Sequence, residues 1–304
     1  VAEPLAPAQL RRLLADEAAA RAASFPPEIA DRIIRYGGVV GSRIGHFTRR
    51  GRCMDHGREL IRQHEEEGSS FPSGTVLIAS ELTAGKGRFA RAWHAPEGGL
   101  WLTLILVNTL LPEHGRFYPL AVGVACCETA RHFGVDARLK WVNDVQVGNR
   151  KLSGVLIETE RGPRFGEEYV LIGIGLNVNN EAFPPELIDT AVSLRQLLGR
   201  ELDLDEVAGQ LLAKLAWNIG LLHHAEAEAL HAEGESAAPH PVISRWLALS
   251  DTIGRQVRFG FDVQAHPQYE AVVQGIDPEG GLIMTLAEDG ATVVEHAGEI
   301  SYLD

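Results

Sequence analysis

Two short segments carry most of the chemistry this chain could perform. Thr83 to Trp93 reads T-A-G-K-G-R-F-A-R-A-W, a loop broken by Gly85 and Gly87 that carries Lys86, Arg88 and Arg91 and closes on the Trp93 indole. Leu139 to Asp144 reads L-K-W-V-N-D and sets Lys140 close to an Asn143-Asp144 pair. Glycine lets a backbone approach an anion closely, and spaced Lys and Arg neutralise phosphate charge. An indole at the end of such a loop can pack against a base. The combination points to a site that handles a nucleotide phosphate beside a carboxylate.

Neither segment decides this alone, because an isolated Gly/Arg loop is most often a solvated turn. Lys86 is not followed by Ser or Thr in a Walker spacing. The G-K-G run is followed by Arg88-Phe89-Ala90 rather than x-x-Gly, so the dinucleotide fingerprint is absent too.

The elements that must hold these segments can be read from periodicity. Two short helices fit residues 6–35, with Leu10, Leu13 and Leu14 on one face and Ile29, Ile33 and Ile34 on another. They are too short and too acidic for a helix-turn-helix DNA reader. A polar helix fits Gly57 to Glu67, and Thr75 to Ser80 is a strand leading into the cationic loop. Leu100 to Leu106 is nearly all apolar, as a strand buried on both faces would be. Pro119 to Phe133 has helical spacing and stops at Gly134. A short strand delivers Lys140, Arg150 to Gly154 reads as a turn, and strands follow at Val155 to Thr159 and Tyr169 to Leu176. Gly173 and Gly175 inside the last strand imply another group lying close, and Asn177 and Asn179 would end near the same pocket.

Asp203 and Glu206 open a helix with Val207, Leu211, Leu215 and Ile219 facing inward. His223 to Pro241, rich in Ala, Glu and His, reads as a linker or surface insertion, and His223, His224, His231 and His240 as solvated residues rather than metal ligands. From Asp251 the texture changes to short strands at Gln256–Phe261, Tyr269–Ile276, Leu282–Leu286 and Thr292–Glu295. The expected organisation is a helical prefix over 1–40, a catalytic region over 41–222, a linker with a connecting helix over 223–250, and a small β-barrel over 251–304.

The 304 residues are 45% hydrophobic and 23% charged, ordinary values for a globular protein with room for a large core. No apolar run reaches membrane-spanning length, and V-A-E-P-L-A-P-A-Q lacks the apolar core of a signal peptide. Three cysteines, with Cys126 and Cys127 adjacent, give neither a disulfide framework nor zinc spacing, so a reducing, cytoplasmic setting is expected. A net charge of -13 argues against nucleic acid or an anionic membrane as the main partner. An anionic substrate must then be held by a local basic site.

In four blocks, in order and spacing, the chain resembles the biotin–protein ligases within the wider group of biotin and lipoate ligases. The cationic loop is similar to that family's Gly-Arg-Gly-Arg-Arg-Gly-Arg-x-Trp. L-K-W-V-N-D with K-L-S-G-V-L-I-E is similar to its Lys-Trp-Pro-Asn-Asp and Lys-Leu-x-Gly-Ile-Leu-x-Glu. I-G-I-G-L-N-V-N at Ile172–Asn179, then D-T-A-V-S-L-R-Q-L-L-G, G-R-Q-V, G-I-D-P-E-G-G-L and A-G-E-I-S, complete the likeness over about Arg52 to Leu303.

The resemblance implies an α+β fold: a mixed sheet flanked by helices, like the core of class II aminoacyl-tRNA synthetases, plus a C-terminal SH3-like barrel. It implies that a carboxylate attacks the α-phosphorus of ATP to give an acyl-adenylate, which a lysine of a carrier domain, such as a biotin carboxyl carrier protein, then attacks. A homodimer stays open. In this scheme Lys140, Arg88 and Arg91 are the catalytic cations. Cys53, Met54, Asp55, Leu82, Gly85, Lys86, Gly87 and Gly154 join Arg88 and Lys140 around the acid. Arg88, Arg91, Trp93, Asn143, Asp144, Lys151, Asn177 and Asn179 hold the nucleotide, with Asp144 the candidate ligand for Mg2+. Trp141 reads as core packing, and Lys151 reads equally well as an exposed turn lysine.

The departures fall where the family recognises the ring of biotin. Its Ser-Thr-Asn is Cys53-Met54-Asp55, and its Gln before the loop is Leu82. In the loop, Lys86 and Phe89 replace arginines and Ala90 replaces a glycine, while Val142 stands where the family has Pro. Cys, Met and Leu hydrogen-bond a ureido ring poorly or not at all, and a site that loses polar partners loses discrimination. Three activities remain open on the residues alone: biotin ligation, ligation of another carboxylate such as lipoate or a fatty acid, and non-catalytic binding of a ligand or carrier domain.

Overall fold

The computed structural model describes residues 5–231 and 240–303. In chain order the first elements are α1 (Pro7–Arg21), α2 (Pro27–Gly37), β1 (Arg43–Arg50), α3 (Cys53–Glu66), β2 (Thr75–Leu82), β3 (Leu100–Val107), α4 (Pro112–Gly115) and α5 (Tyr118–His132). Then come β4 (Arg138–Lys140), β5 (Asp144–Val147), β6 (Arg150–Arg161), β7 (Glu168–Leu176), α6 (Leu194–Leu198), α7 (Leu204–His231) and α8 (Pro241–Leu249). The C-terminal strands are β8 (Gln256–Gly260), β9 (Tyr269–Ile276), β10 (Leu282–Leu286), β11 (Thr292–Glu295) and β12 (Glu299–Tyr302).

Seven strands form one mixed sheet in the order β1-β2-β3-β7-β6-β5-β4, parallel at β1–β2 and antiparallel elsewhere. Helix α3 covers β2, β3 and β7, enclosing Cys53, Met54, Ile61, Leu77, Ile105 and Leu171 in a small apolar cluster. Helix α5 packs on β4, β5 and β6 and is itself backed by α7 and α8. Being enclosed on all sides, α5 is apolar nearly throughout from Leu120 to Ala130 rather than striped. Strands β8 to β12 make a second, five-stranded antiparallel sheet in the order β11-β10-β9-β8-β12, the small C-terminal β unit that the resemblance implies.

The two prefix helices lie on α7, where Phe25 meets Trp217 edge-on at 5.3 Å. Each large side chain buried in this way contributes about 1.5–3 kcal/mol relative to exposure. A buried charge cluster ties the same helices together. Arg21 donates to Glu128 at 2.9 Å and to Glu17 at 2.8 Å, Lys214 donates to Glu17 at 2.9 Å, and Arg245 reaches Glu128 at 2.6 Å. Burial pushes the Glu128 carboxyl up, but Arg21, with Arg245 and Lys214, outweighs it and holds the group below the ordinary carboxylate range.

The structure differs from the sequence expectations in several places. Strand β1 was unforeseen, because R-I-G-H-F-T-R-R at the sheet edge is mostly polar. Helix α3 begins at Cys53, a turn earlier than Gly57, which puts Cys53 and Met54 inside its first turn. The expected turn at Arg150–Gly154 is the beginning of β6, and β12 was not anticipated. The compositional linker is helical as far as His231; its stretch at 232–239 lies outside the described residues. Its histidines are not uniformly solvated. His240 stacks on Phe117 at 4.2 Å, and burial, helped by His114, lowers its pKa to about 4. Among the described residues no group of three or more His, Cys, Asp or Glu side chains could hold a metal ion, and no helix is long and apolar enough to cross a membrane.

Candidate active site

Strand β2 ends at Leu82 and hands the chain to the cationic loop, which folds back on itself. Leu82 N donates to Ala95 O at 2.9 Å, Trp93 N to Gly85 O at 2.9 Å, and Gly87 N to Arg91 O at 2.8 Å. This hairpin roofs a cavity of about 530 Å3 whose floor is the sheet face carrying Lys140, Asp144, Lys151 and Gly154. Glycines in β7 make the roof possible. A Cβ on Gly175 would lie 2.5 Å from the Trp93 indole nitrogen, and one on Gly173 would lie 2.8 Å from Met54 Sδ. One glycine admits the indole, the other the thioether.

The charges converge beneath Trp93. Lys151 Nζ is 2.7 Å from Asp144 Oδ1 and 5.3 Å from the Trp93 ring centre. Burial depresses the Lys140 pKa; Asp144 and Glu299 oppose that shift, while Lys151 adds to it. Burial pushes Asp144 up, but Lys151, Lys140 and Arg88 prevail and hold it below its ordinary value. Burial also lowers Arg88, which donates to the Gly298 carbonyl at the C-terminal sheet. A cluster of cations around one carboxylate, partly removed from water, can align a carboxylate with a phosphate and offset their repulsion.

The loop's tip rests on the C-terminal sheet rather than in solvent. Arg91 pairs with Asp262 at 2.9 Å and with Glu299, and Phe89 meets Phe261 edge-on at 6.3 Å. Phe89 and Ala90 adopt φ of 54° and 58°, a left-handed conformation that costs non-glycine residues about 1–2 kcal/mol each. The contacts to the C-terminal sheet hold that geometry.

Cys53, Met54, Leu82, Gly85, Lys86, Gly87, Arg88, Arg91, Trp93, Lys140, Asp144, Lys151, Gly154 and Asn177 all line the cavity. Three expected residues do not. Asp55 is exposed and pairs with Arg52 and Arg58 at 3.2 and 2.9 Å. Asn143 donates to Val155 O at 2.7 Å and borders a separate cavity of about 390 Å3 with Arg116 and His296. Asn179 is spent on Leu202, accepting from its N at 2.9 Å and donating to its O at 2.8 Å. Asn177 borders the cavity, but its amide donates to Val192 O at 3.1 Å, a bracing role. Trp141 is buried in the core and also touches the cavity. Burial raises the Cys53 pKa to about 11, so it remains a thiol.

Sequence reasoning missed Arg52, Gln146, Phe183 and Glu299, all of which line the cavity. Arg52 stands next to the Cys53-Met54 pair, and Glu299 lies within the A-G-E-I-S block, so both were adjacent to quoted motifs. Gln146 and Phe183 carried no local signal.

The profile described as the biotin/lipoate A/B protein ligase family matches residues 58–179. The protein named Biotin--[acetyl-CoA-carboxylase] ligase from Mycobacterium tuberculosis is 30% identical over 236 residues, covering 76% of this chain and 79% of that protein. The chain belongs to the biotin/lipoate A/B protein ligase family. The Bifunctional ligase/repressor BirA of Bacillus subtilis is 35% identical over 153 residues, 49% of this chain and 47% of that protein, so the chain spans about half the length of that relative. Among solved structures, a biotin protein ligase from Aquifex aeolicus in complex with biotin and ATP superposes with a TM-score of 0.64 at 23% identity, covering 86% of this chain and 98% of that one. That likeness shows that this family member shares the fold.

Proposed function

We propose that this chain joins biotin to a lysine of a carrier domain, such as a biotin carboxyl carrier protein, at the expense of ATP. A biotin carboxylate oxygen attacks the α-phosphorus of ATP and pyrophosphate leaves, giving biotinyl-5′-AMP. The lysine amine then attacks the acyl carbon, expels AMP and loses a proton. The observation that carries this reading is the convergence of Lys140, Arg88 and Lys151 on one roofed cavity beside Asp144. The names of the relatives support it.

In this scheme Lys140 pairs first with the acid's carboxylate and then with the adenylate phosphate, while Lys86 and Arg88 hold phosphates. Arg91 does so only by exchanging Glu299 for a phosphate oxygen. Cys53, Met54, Leu82 and Gly154 surround the acid, Gly85 and Gly87 let the loop approach it, and Trp93 covers the nucleotide. Closing the roof shields the mixed anhydride from hydrolysis. Asp144, a single carboxylate already paired with Lys151, fits a Mg2+ ion that arrives with the nucleotide's phosphates rather than a resident metal. Bound there, the ion would screen phosphate charge.

A second reading, ligation of another carboxylate such as lipoate or a fatty acid, is favoured by the apolar surface of Cys53, Met54 and Leu82 at one end of the cavity. The test is pyrophosphate release from Mg-ATP with biotin, lipoate, octanoate or no acid, using Lys140→Ala as control. Biotin-dependent release lost in the variant supports the first reading. Release with another acid alone replaces the substrate, and silence with every acid points to a binding protein.

A further inference from the structure

Gln146 is an anomaly in the site. It lies in β5 between Val145 and Val147, opposite Arg138 and Lys151, and is only 7% exposed. Its Oε1 is buried without a hydrogen-bond partner, although the residue borders the main cavity. A buried carboxamide oxygen left without a partner is costly, and natural interiors rarely tolerate one without a function. The neighbouring surface is apolar. Lys151 N donates to Thr190 O at 2.7 Å and Val192 N to Lys151 O at 3.0 Å, which brings Leu187 and Ala191 to the cavity edge beside Phe183.

Position along the strand suggests what Gln146 meets. Asp144 and Gln146 share a face of β5, and two residues of strand span about 7 Å. With phosphates among Lys140, Lys151 and Arg88, the acid extends towards Cys53 and Met54. On the nucleotide-dependent reading the base extends the other way from the phosphates, and Gln146, Phe183 and Leu187 are cavity-lining residues left to meet it. We propose that Gln146 reads the base of the nucleotide, pairing with the 6-amino group of adenine and the ring nitrogen beside it. A carboxamide places a donor next to an acceptor, which complements that edge. Rotation about the last side-chain bond exchanges the two atoms, so either can face the amino group. The inference rests on the nucleotide-dependent reading above, and it assigns base recognition to a residue outside the cationic motifs.

The test is calorimetric binding of ATP and of purine riboside triphosphate, which lacks the 6-amino group, both with Mg2+ and without an acid substrate. Wild type should bind ATP about tenfold more tightly than the analogue. In Gln146→Leu and Gln146→Met that ratio should fall to within twofold of unity. Because the ratio is read within one sample, partial unfolding of a variant does not distort it. An unchanged ratio in both variants, or no preference in wild type, would overturn the assignment while leaving the ligase reading intact. A wild type that binds neither nucleotide, with or without biotin, would overturn both.

Discussion

Arg91 Nη1 donates to both carboxylate oxygens of Glu299, each at 2.8 Å, across 208 residues of sequence. The pair joins the tip of the cationic loop to β12, so the loop's position depends on the C-terminal sheet. Glu299→Gln removes the charge while keeping the shape. Arg91 is about two-fifths exposed, so solvent screens the pair and its loss should leave overall stability within about 1 kcal/mol. The loop itself should loosen, and trypsin should cut after Arg88 or Arg91 several-fold faster than in wild type. Equal cleavage rates would mean that the pair does not hold the roof.

The depressed Lys140 pKa sets a pH dependence. A lysine is charged below its pKa, so burial makes Lys140 lose its proton at a lower pH than a free amine does. Pyrophosphate release should therefore decline on an alkaline limb that begins below the ordinary lysine value. Lys140→Arg stays charged there and should flatten that limb even if its rate is lower. A limb of the same position in both proteins would assign it to another group.

Gly175→Ala places a methyl group against the Trp93 indole. Overpacking of this kind typically costs about 1–3 kcal/mol, and here much of it should appear as displacement of the roof. Nucleotide affinity, measured by calorimetry, should fall at least tenfold. Adding Trp93→Ala should remove most of the further penalty, so that the double variant binds about as well as Trp93→Ala alone. Strict additivity would show that the indole is not what Gly175 accommodates.

The acid end can be tested by restoring hydrogen-bonding groups. The triple change Cys53→Ser, Met54→Thr and Leu82→Gln should shift the ratio of biotin to octanoate binding towards biotin by at least tenfold, because each acid meets the same phosphate side. No change in that ratio would mean that these side chains do not contact the acid's distal end.

Glu128 makes a stability prediction with a definite sign. Its folded pKa lies below the unfolded value of 4.5, so its contribution is fully present above about pH 4.5 and is lost as pH falls through the folded pKa. Glu128→Gln leaves Arg21 and Arg245 facing a neutral group and should cost about 3–5 kcal/mol in urea denaturation at pH 7. The gap between variant and wild type should narrow in acid. A constant gap would show that the carboxylate's charge is not what counts.

Much of the site was legible because family-like segments lie along single strands and one loop. Lys140, Asp144 and Lys151 come from a continuous stretch of β4 to β6, and the cationic loop is contiguous. The same contiguity misled at Asn143 and Asn179. Asn143 sits in the turn before β5 rather than in the strand, and its amide is spent on Val155 O, while Asn179 lies beyond β7, where it braces Leu202. Gln146 was hidden because a glutamine among valines announces nothing until its burial is known. Edge strand β1 was missed for a different reason: none of its residues is fully buried, so its sequence shows no apolar alternation. The helix through His223 and His224 was obscured because alanine, glutamate and histidine suit a solvated helix as readily as a linker.

The cluster around Glu128 also bears on how the molecule comes apart. Glu128 on α5 draws its partners from α1, α7 and α8, and if the first two helices peeled away Lys214 would lose Glu17, while Glu128 would lose Arg21 and keep only Arg245 and Asn218. Stranding buried ions in that manner is unfavourable enough to suppress partial opening. The two prefix helices and the layer of α5, α7 and α8 that they lie on should thus melt together, as one cooperative unit.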